Sequence, residues 1–193
     1  MTRLTPNMTT DLLIITALES ELKRTSVPAN IPIIYSGIGK INATIATFDA
    51  IHHHQPKMII NFGTAGGIHP NSAGLIEIRK VIQRDVLAQP LTPRGIVPFC
   101  DKPQQYVSHA GQHTCATGDS FVTEHDPWLV SQEVDVVDME LFAIAAVAHH
   151  HDIPWVSLKF VSDRADKESA KQWSESVNAG ERAFIEFMRH NYL

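Results

Sequence analysis

The sequence predicts an α/β fold, a single domain built on a mixed, mostly parallel twisted sheet flanked by helices. Three observations predict it. Short apolar runs of strand length recur along the chain, as at Leu12–Ile15, Lys57–Phe62 and Pro154–Val161, and such unbroken runs suit strands buried on both faces. Segments with helical spacing stand between them, and alternation of the two implies parallel strands with crossover helices. Glycine-containing turns follow several of the runs, at Gly37-Ile-Gly39, Gly63-Thr-Ala-Gly-Gly67 and Gly118-Asp-Ser-Phe121.

Taken in order, residues 1–10 are polar and predict a flexible N-terminal tail, leaving 11–193 as the domain. Asp11–Thr16 predicts the first strand. Ala17–Leu22 reads as the opening turns of a helix, with Glu19 and Glu21 favoured there by the helix dipole. Ile31–Ser36 predicts a strand and Lys40–His54 a helix, with Ile41, Ile45, Phe48 and Ile51 at helical spacing and Pro56 stopping it. Lys57–Phe62 is a strand ending in the glycine run; Leu75–Ile82 and Val86–Ala88 are further strands. Residues 89–112, rich in Pro, Gly and Gln, predict a long loop. His113–Thr117 is a short strand, Asp126–Gln132 a short helix, Val134–Val137 a strand and Met139–His151 an alanine-rich helix. Pro154–Val161 is a strand, and Ser169–His190 a final amphipathic helix carrying Trp173, Val177, Phe184, Phe187 and Met188.

Composition removes several function classes. The 193 residues are 44% hydrophobic and 19% charged, which suits a packed core rather than a disordered chain. A net charge of −5 without a basic run argues against nucleic-acid binding. No apolar run is long enough to span a bilayer, and no charged-then-apolar leader opens the sequence, so a cytoplasmic protein is expected. Two cysteines, Cys100 and Cys115, with no CxxC spacing, predict neither a disulfide scaffold nor a structural zinc site.

Generic ligand motifs fail. Gly37-Ile-Gly39 lacks a third glycine, since Asn42 stands in its place, and Gly39-Lys40 is followed by Ile41 rather than Ser or Thr. The triplets His52–His54 and His149–His151 fall at predicted helix C-termini, where imidazolium is favoured, and adjacent helical residues point about 100° apart, too divergent to share one ion. No metal and no organic cofactor is expected.

In parallel sheets, ligands bind beyond the carboxyl ends of the strands. There the chain carries Ala17-Leu-Glu-Ser-Glu21, Gly63-Thr-Ala-Gly-Gly67, Ala116-Thr-Gly-Asp-Ser-Phe-Val122, Val137-Asp-Met-Glu140 and Val161-Ser-Asp-Arg-Ala-Asp166, in that order. From spacing alone, Glu21 and Glu140 could be acids favoured by a helix dipole. Asp138 reads as an N-cap, Asp163 and Asp166 as turn or cap residues, and Phe121 as core. Asp119 reads as structural.

The ordered set resembles the nucleoside phosphorylase superfamily, most closely its 5′-methylthioadenosine/S-adenosylhomocysteine nucleosidase family. The resemblance implies an α/β domain with a partly barrel-like sheet, cleavage of purine N-glycosidic bonds without cofactors, a purine nucleoside as the small-molecule partner, and a homodimer. It places Glu21 as the acid that activates water and Asp163 as the acid that protonates the purine at N7. Glu140 would hold the ribose hydroxyls and Met139 pack on the sugar. Phe121 would stack on the base, the Val122 backbone read its edge, and Thr64 stand where the family usually has Ser. Ser162 and Lys159 complete the implied substrate-binding set, Lys159 replacing an arginine near the sugar.

These residue types suit the chemistry. The glycosidic bond breaks through an oxocarbenium-like state, and adenine leaves poorly as an anion, so one acid must deliver a proton to the base while a second, ionised carboxylate orients water across the sugar. Negative charge near the ribose stabilises it as it turns positive. Phosphorolysis would call for arginines around a phosphate; Asn61 stands where phosphorylases commonly carry one, and Glu21 would repel phosphate. Hydrolysis of an adenine nucleoside, such as 5′-methylthioadenosine or S-adenosylhomocysteine, is therefore expected. A purine phosphorylase and an inactive nucleoside binder are the alternatives. The segment between Gly67 and Ala116 is short for the family, which leaves the 5′ substituent open.

Overall fold

The computed structural model describes residues 11–164 and 180–193. The expected tail, Asp166, Trp173 and Val177 lie outside them. The strands are β1 (Leu12–Thr16), β2 (Ile33–Tyr35), β3 (Met58–Gly67), β4 (Leu75–Gln83), β5 (Gln105–Val107), β6 (His113–Thr117), β7 (Val136–Asp138) and β8 (Trp155–Asp163). The helices are α1 (Lys40–His54), α2 (Pro127–Ser131), α3 (Leu141–His150) and α4 (Gly180–Asn191). A 3-10 turn spans Arg24–Ser26.

All eight strands form one mixed sheet, and its middle closes on itself. β3 pairs with β8 in parallel, β8 with β4 antiparallel, β4 with β6 and β6 with β7 in parallel, and β7 returns antiparallel to the end of β3. β1 and β2 extend the sheet outward from β3, and β5 adds to β4.

Strand alternation sends neighbouring residues to opposite faces. Leu13, Ile15, Ile59 and Trp155 face a core shared with α1 and α3. Ile14, Ile60, Phe62, Val156 and Leu158 face a second core, closed by Phe184 and Met188 of α4. Phe62 and Phe184 stack there with centroids 4.4 Å apart.

Several expectations need correction. Ala17–Leu22 is a turn and not the start of a helix: the Leu18 N–H and Thr16 hydroxyl are drawn to the Glu21 carboxylate at 3.2 and 3.1 Å. Gly63–Gly67 does not turn the chain but continues β3 to its full length. A side chain at Gly67 would meet Val161 Cγ1 at 3.1 Å, so glycine here permits close strand approach. Val86–Ala88 is loop, and the expected long loop contains the edge strand β5. Helix α1 buries its small face, Ala43, Thr47 and Ala50 with Ile51, against α3, and leaves Ile41, Ile45 and Phe48 exposed.

Candidate active site

Most of the expected site residues converge on a solvent-open cleft at the strand ends. Glu21 forms part of its wall. The turn after β1 swings this side chain inward, where it is 3% exposed. One carboxylate oxygen accepts from the Thr64 N–H and the Thr64 hydroxyl, both at 2.8 Å; the other accepts from Thr16 and Leu18. Four donors hold the group rigidly at the cleft wall.

Glu140, at the N-cap of α3, lines the same cleft. Its Oε1 accepts the Gly39 N–H at 2.8 Å. Gly39 has φ of 96°, a conformation that disfavours side-chain-bearing residues, and this is the purpose of the Gly37-Ile-Gly39 turn: its amide grips a carboxylate. Burial, and then the charge of Asp138, push the Glu140 carboxyl up to about 7, against the opposing pull of Lys159 and Gly39.

Asp138 lies beneath it and is fully engaged. It accepts from Thr117 Oγ1 at 2.6 Å, from the Leu141 N–H at 2.8 Å and from Lys159 Nζ at 2.8 Å. Burial opposes its ionisation, but Lys159 and these hydrogen bonds outweigh it and hold the carboxyl below the usual range. Asp138 is not the N-cap its spacing suggested, since Glu140 takes that position, but its carboxylate accepts the first N–H of α3 and is also the partner of a buried cation. Lys159 is 1% exposed and is not among the residues lining the cleft. The expected contact with the sugar is replaced by a supporting role, because Lys159 offsets the charge of carboxylates that would otherwise repel one another. Cys115 hydrogen-bonds to Asp138, and burial pushes its thiol well up, so it is no activated nucleophile.

The third carboxylate, Asp163, ends β8. The β3–β8 register slips by one residue between Ala65 and Gly66. Such a bulge re-aims side chains, and here Ser162 and Asp163 both line the cleft, with the Ser162 hydroxyl donating to Asp163 Oδ2 at 2.9 Å. Phe121 and Val122 face the same space from the loop after β6, with Met139 and Ile38 beside them. Phe121 is 48% exposed, so it is not a core residue.

Glu21, Thr64, Phe121, Val122, Met139, Glu140, Ser162 and Asp163 therefore share one cleft. Asp119 lies at its margin as expected of a structural residue: it accepts the Lys40 N–H at 2.8 Å and donates its own N–H to Asp85, which pairs with Lys40 Nζ at 2.6 Å. Sequence reasoning missed Arg84, a buried arginine that lines the cleft beside Ser120 and Phe121. Its signal, a charged residue directly after a strand, is shared with Asp85 and with many solvated loop positions. Among the described residues no cluster of three or more His, Cys, Asp or Glu side chains could hold a metal ion, and no helix is long and apolar enough to cross a membrane.

Comparison with known proteins identifies the family. The Phosphorylase superfamily matches residues 28–190. The 5′-methylthioadenosine/S-adenosylhomocysteine nucleosidase of Anoxybacillus flavithermus is 32% identical over 168 residues, covering 73% of this chain and 71% of that protein. The fold is shared with the nucleosidase of the same name from Neisseria meningitidis, solved with methylthio-immucillin-A (TM-score 0.80, 22% identity, 92% of this chain and 96% of that one). It is shared as well with futalosine hydrolase of Helicobacter pylori (TM-score 0.84, 19% identity, 94% and 97%). With fold and sequence in agreement, the chain belongs to the phosphorylase superfamily, and its similarity there lies with the nucleosidases.

Proposed function

We propose that the chain is a purine nucleosidase that hydrolyses the N-glycosidic bond of an adenine nucleoside such as 5′-methylthioadenosine or S-adenosylhomocysteine, releasing adenine and the 5-substituted ribose. The observation that carries the reading is the grouping of Glu21, Glu140 and Asp163 around one cleft. Asp163 donates a proton to N7 of the base as the bond to the sugar breaks, so adenine leaves neutral. Glu140 accepts hydrogen bonds from the ribose hydroxyls, and its negative charge favours the cationic sugar. Glu21 takes a proton from the attacking water, whose oxygen bonds to the anomeric carbon. Phe121 stacks on the base, the Val122 backbone reads its edge, Met139 packs on the sugar, and Thr64 and Ser162 fix the carboxylates on either side.

Phosphate is a poor nucleophile for this site. Glu21 places a carboxylate where the nucleophile must sit, and Asn61 is buried and committed to Ile15 O at 3.0 Å and Ser157 Oγ at 2.8 Å. Incubation with 5′-methylthioadenosine, S-adenosylhomocysteine, adenosine and inosine, with and without phosphate, tests the reading. Free base with free sugar, independent of phosphate, is the expected result; sugar 1-phosphate or no turnover overturns it.

The same reading includes a homodimer formed through α1, whose exposed Ile41, Ile45 and Phe48 lie on successive turns and continue from Ile38 at the cleft rim. Its cellular place is the cytoplasm, in salvage of the methylthio group toward methionine.

A further inference from the structure

The cleft wall on the side of Phe121 is held by a residue with no part in the chemistry above. Arg84 follows β4, is 5% exposed, and turns its guanidinium onto the loop after β6. It donates to Gly118 O at 2.8 Å, to Ser120 Oγ at 3.0 Å and to Ser120 O. The backbone is tied at the same point, since the Arg84 N–H donates to Thr117 O at 2.9 Å. The packing is tight: a Cβ at Gly118 would lie 2.9 Å from Arg84 Cγ. A planar cation that satisfies two carbonyls and a hydroxyl within three consecutive residues fixes the path of that loop. The next residues are Phe121 and Val122, which present a ring and a backbone edge to the cleft.

We propose that Arg84 is a positioning residue for the nucleobase, fixing the 118–122 loop so that Phe121 and Val122 meet the purine in one orientation. The role rests on the nucleosidase reading for the identity of the base, but not on catalysis. Glu21, Glu140 and Asp163 are held by other partners, so loss of Arg84 weakens base binding and leaves the bond-breaking groups in place. Such a loss of uniform binding raises KM with little change in kcat.

The test compares wild type with Arg84→Met, Arg84→Lys and Gly118→Ala, the last pushing a methyl group against the Arg84 stem. Binding of free adenine is measured by calorimetry, and KM and kcat by steady-state turnover, with far-UV circular dichroism to confirm folding. Arg84→Met is expected to weaken adenine binding and raise KM by about tenfold or more, the effect of losing charge-assisted hydrogen bonds, with kcat lowered less than about threefold. Arg84→Lys, which keeps the charge and loses the fork, is expected to fall between, and Gly118→Ala to resemble Arg84→Met. Folded variants with wild-type adenine affinity overturn the role. So does a fall in kcat at unchanged KM. If Arg84→Met does not fold, the Lys and Ala variants decide on the same criteria. Wild type that binds adenine without turnover overturns the nucleosidase reading alone, since calorimetry still reports the Arg84 effect; wild type that binds no purine overturns both.

Discussion

The hydroxyl and the backbone N–H of Thr64 both reach the same oxygen of Glu21, each at 2.8 Å. This fork fixes the carboxylate against β3, so its orientation does not depend on substrate. Glu21→Gln is expected to lower kcat by ~10²–10⁴-fold, the usual contribution of a general base, while binding of a non-hydrolysable nucleoside analogue persists. Thr64→Ala removes one of four donors and is expected to cost about tenfold or less, in line with about 1 kcal/mol for a single hydrogen bond. Steady-state kinetics and analogue binding check both.

Asp163→Asn keeps the shape at the end of β8 and removes the transferable proton. The expected outcome is a loss of kcat of ~10²–10⁴-fold with adenine affinity retained within a few-fold. Measured kcat close to wild type would remove Asp163 from the chemistry.

Glu140 links activity to pH and stability in opposite directions. Its carboxyl titrates at about 7 in the folded chain against an ordinary 4.5. The folded state therefore holds an extra proton between those values, and the stability this gives is full below the lower value and lost as pH rises through the upper one. Glu140→Gln mimics the protonated group, so its melting temperature is expected to exceed that of wild type at pH 8, by up to about 3 kcal/mol in stability, with the two converging near pH 5. Activity runs the other way: wild-type KM is expected to rise as pH falls below about 7, because a protonated carboxyl accepts ribose hydroxyls poorly. Thermal melts and pH–rate profiles separate the two effects.

Lys159 and Asp138 form an ion pair of 2.8 Å, both side chains within 1% of full burial. Removing one member of such a pair leaves an uncompensated charge and commonly costs 3–5 kcal/mol. Lys159→Met is expected to lose stability on this order in urea unfolding. Lys159→Met combined with Asp138→Asn is expected to recover part of the loss, since no lone ion then remains.

Ile45 is 57% exposed on the outer face of α1. If that face joins two copies, Ile45→Glu is expected to shift the protein from dimer to monomer in sedimentation or light scattering without loss of helix content. A wild-type protein that is already monomeric at micromolar concentration ends this part of the proposal.

Much of the order of strands and helices was legible because most buried strands are apolar runs; β5 was not, being a three-residue edge strand in a segment rich in Pro and Gly. The acids after the strands were legible as a set, because strand ends are where this architecture gathers function. What escaped depends on contacts between distant segments. Ala17–Leu22 has helix-like residues, but Glu21 takes up the local donors itself and prevents the helix. The glycines of Gly63–Gly67 signal a turn locally; only the proximity of β8 shows that they let two strands approach. The isoleucines of α1 have core spacing, yet the small residues between them face α3. Lys159 was expected near the sugar because it stands where the family often has an arginine, but its ammonium is buried on Asp138, and only the register shift before Asp163 lets the end of β8 face the cleft instead. Arg84 carries no local mark that separates it from a solvated arginine.

The ring β3–β8–β4–β6–β7 has no free edge within it, so its members cannot part without breaking backbone ladders on both sides. The cleft opens to solvent at the strand ends, where Phe121 and Ile38 belong to loops outside that ring.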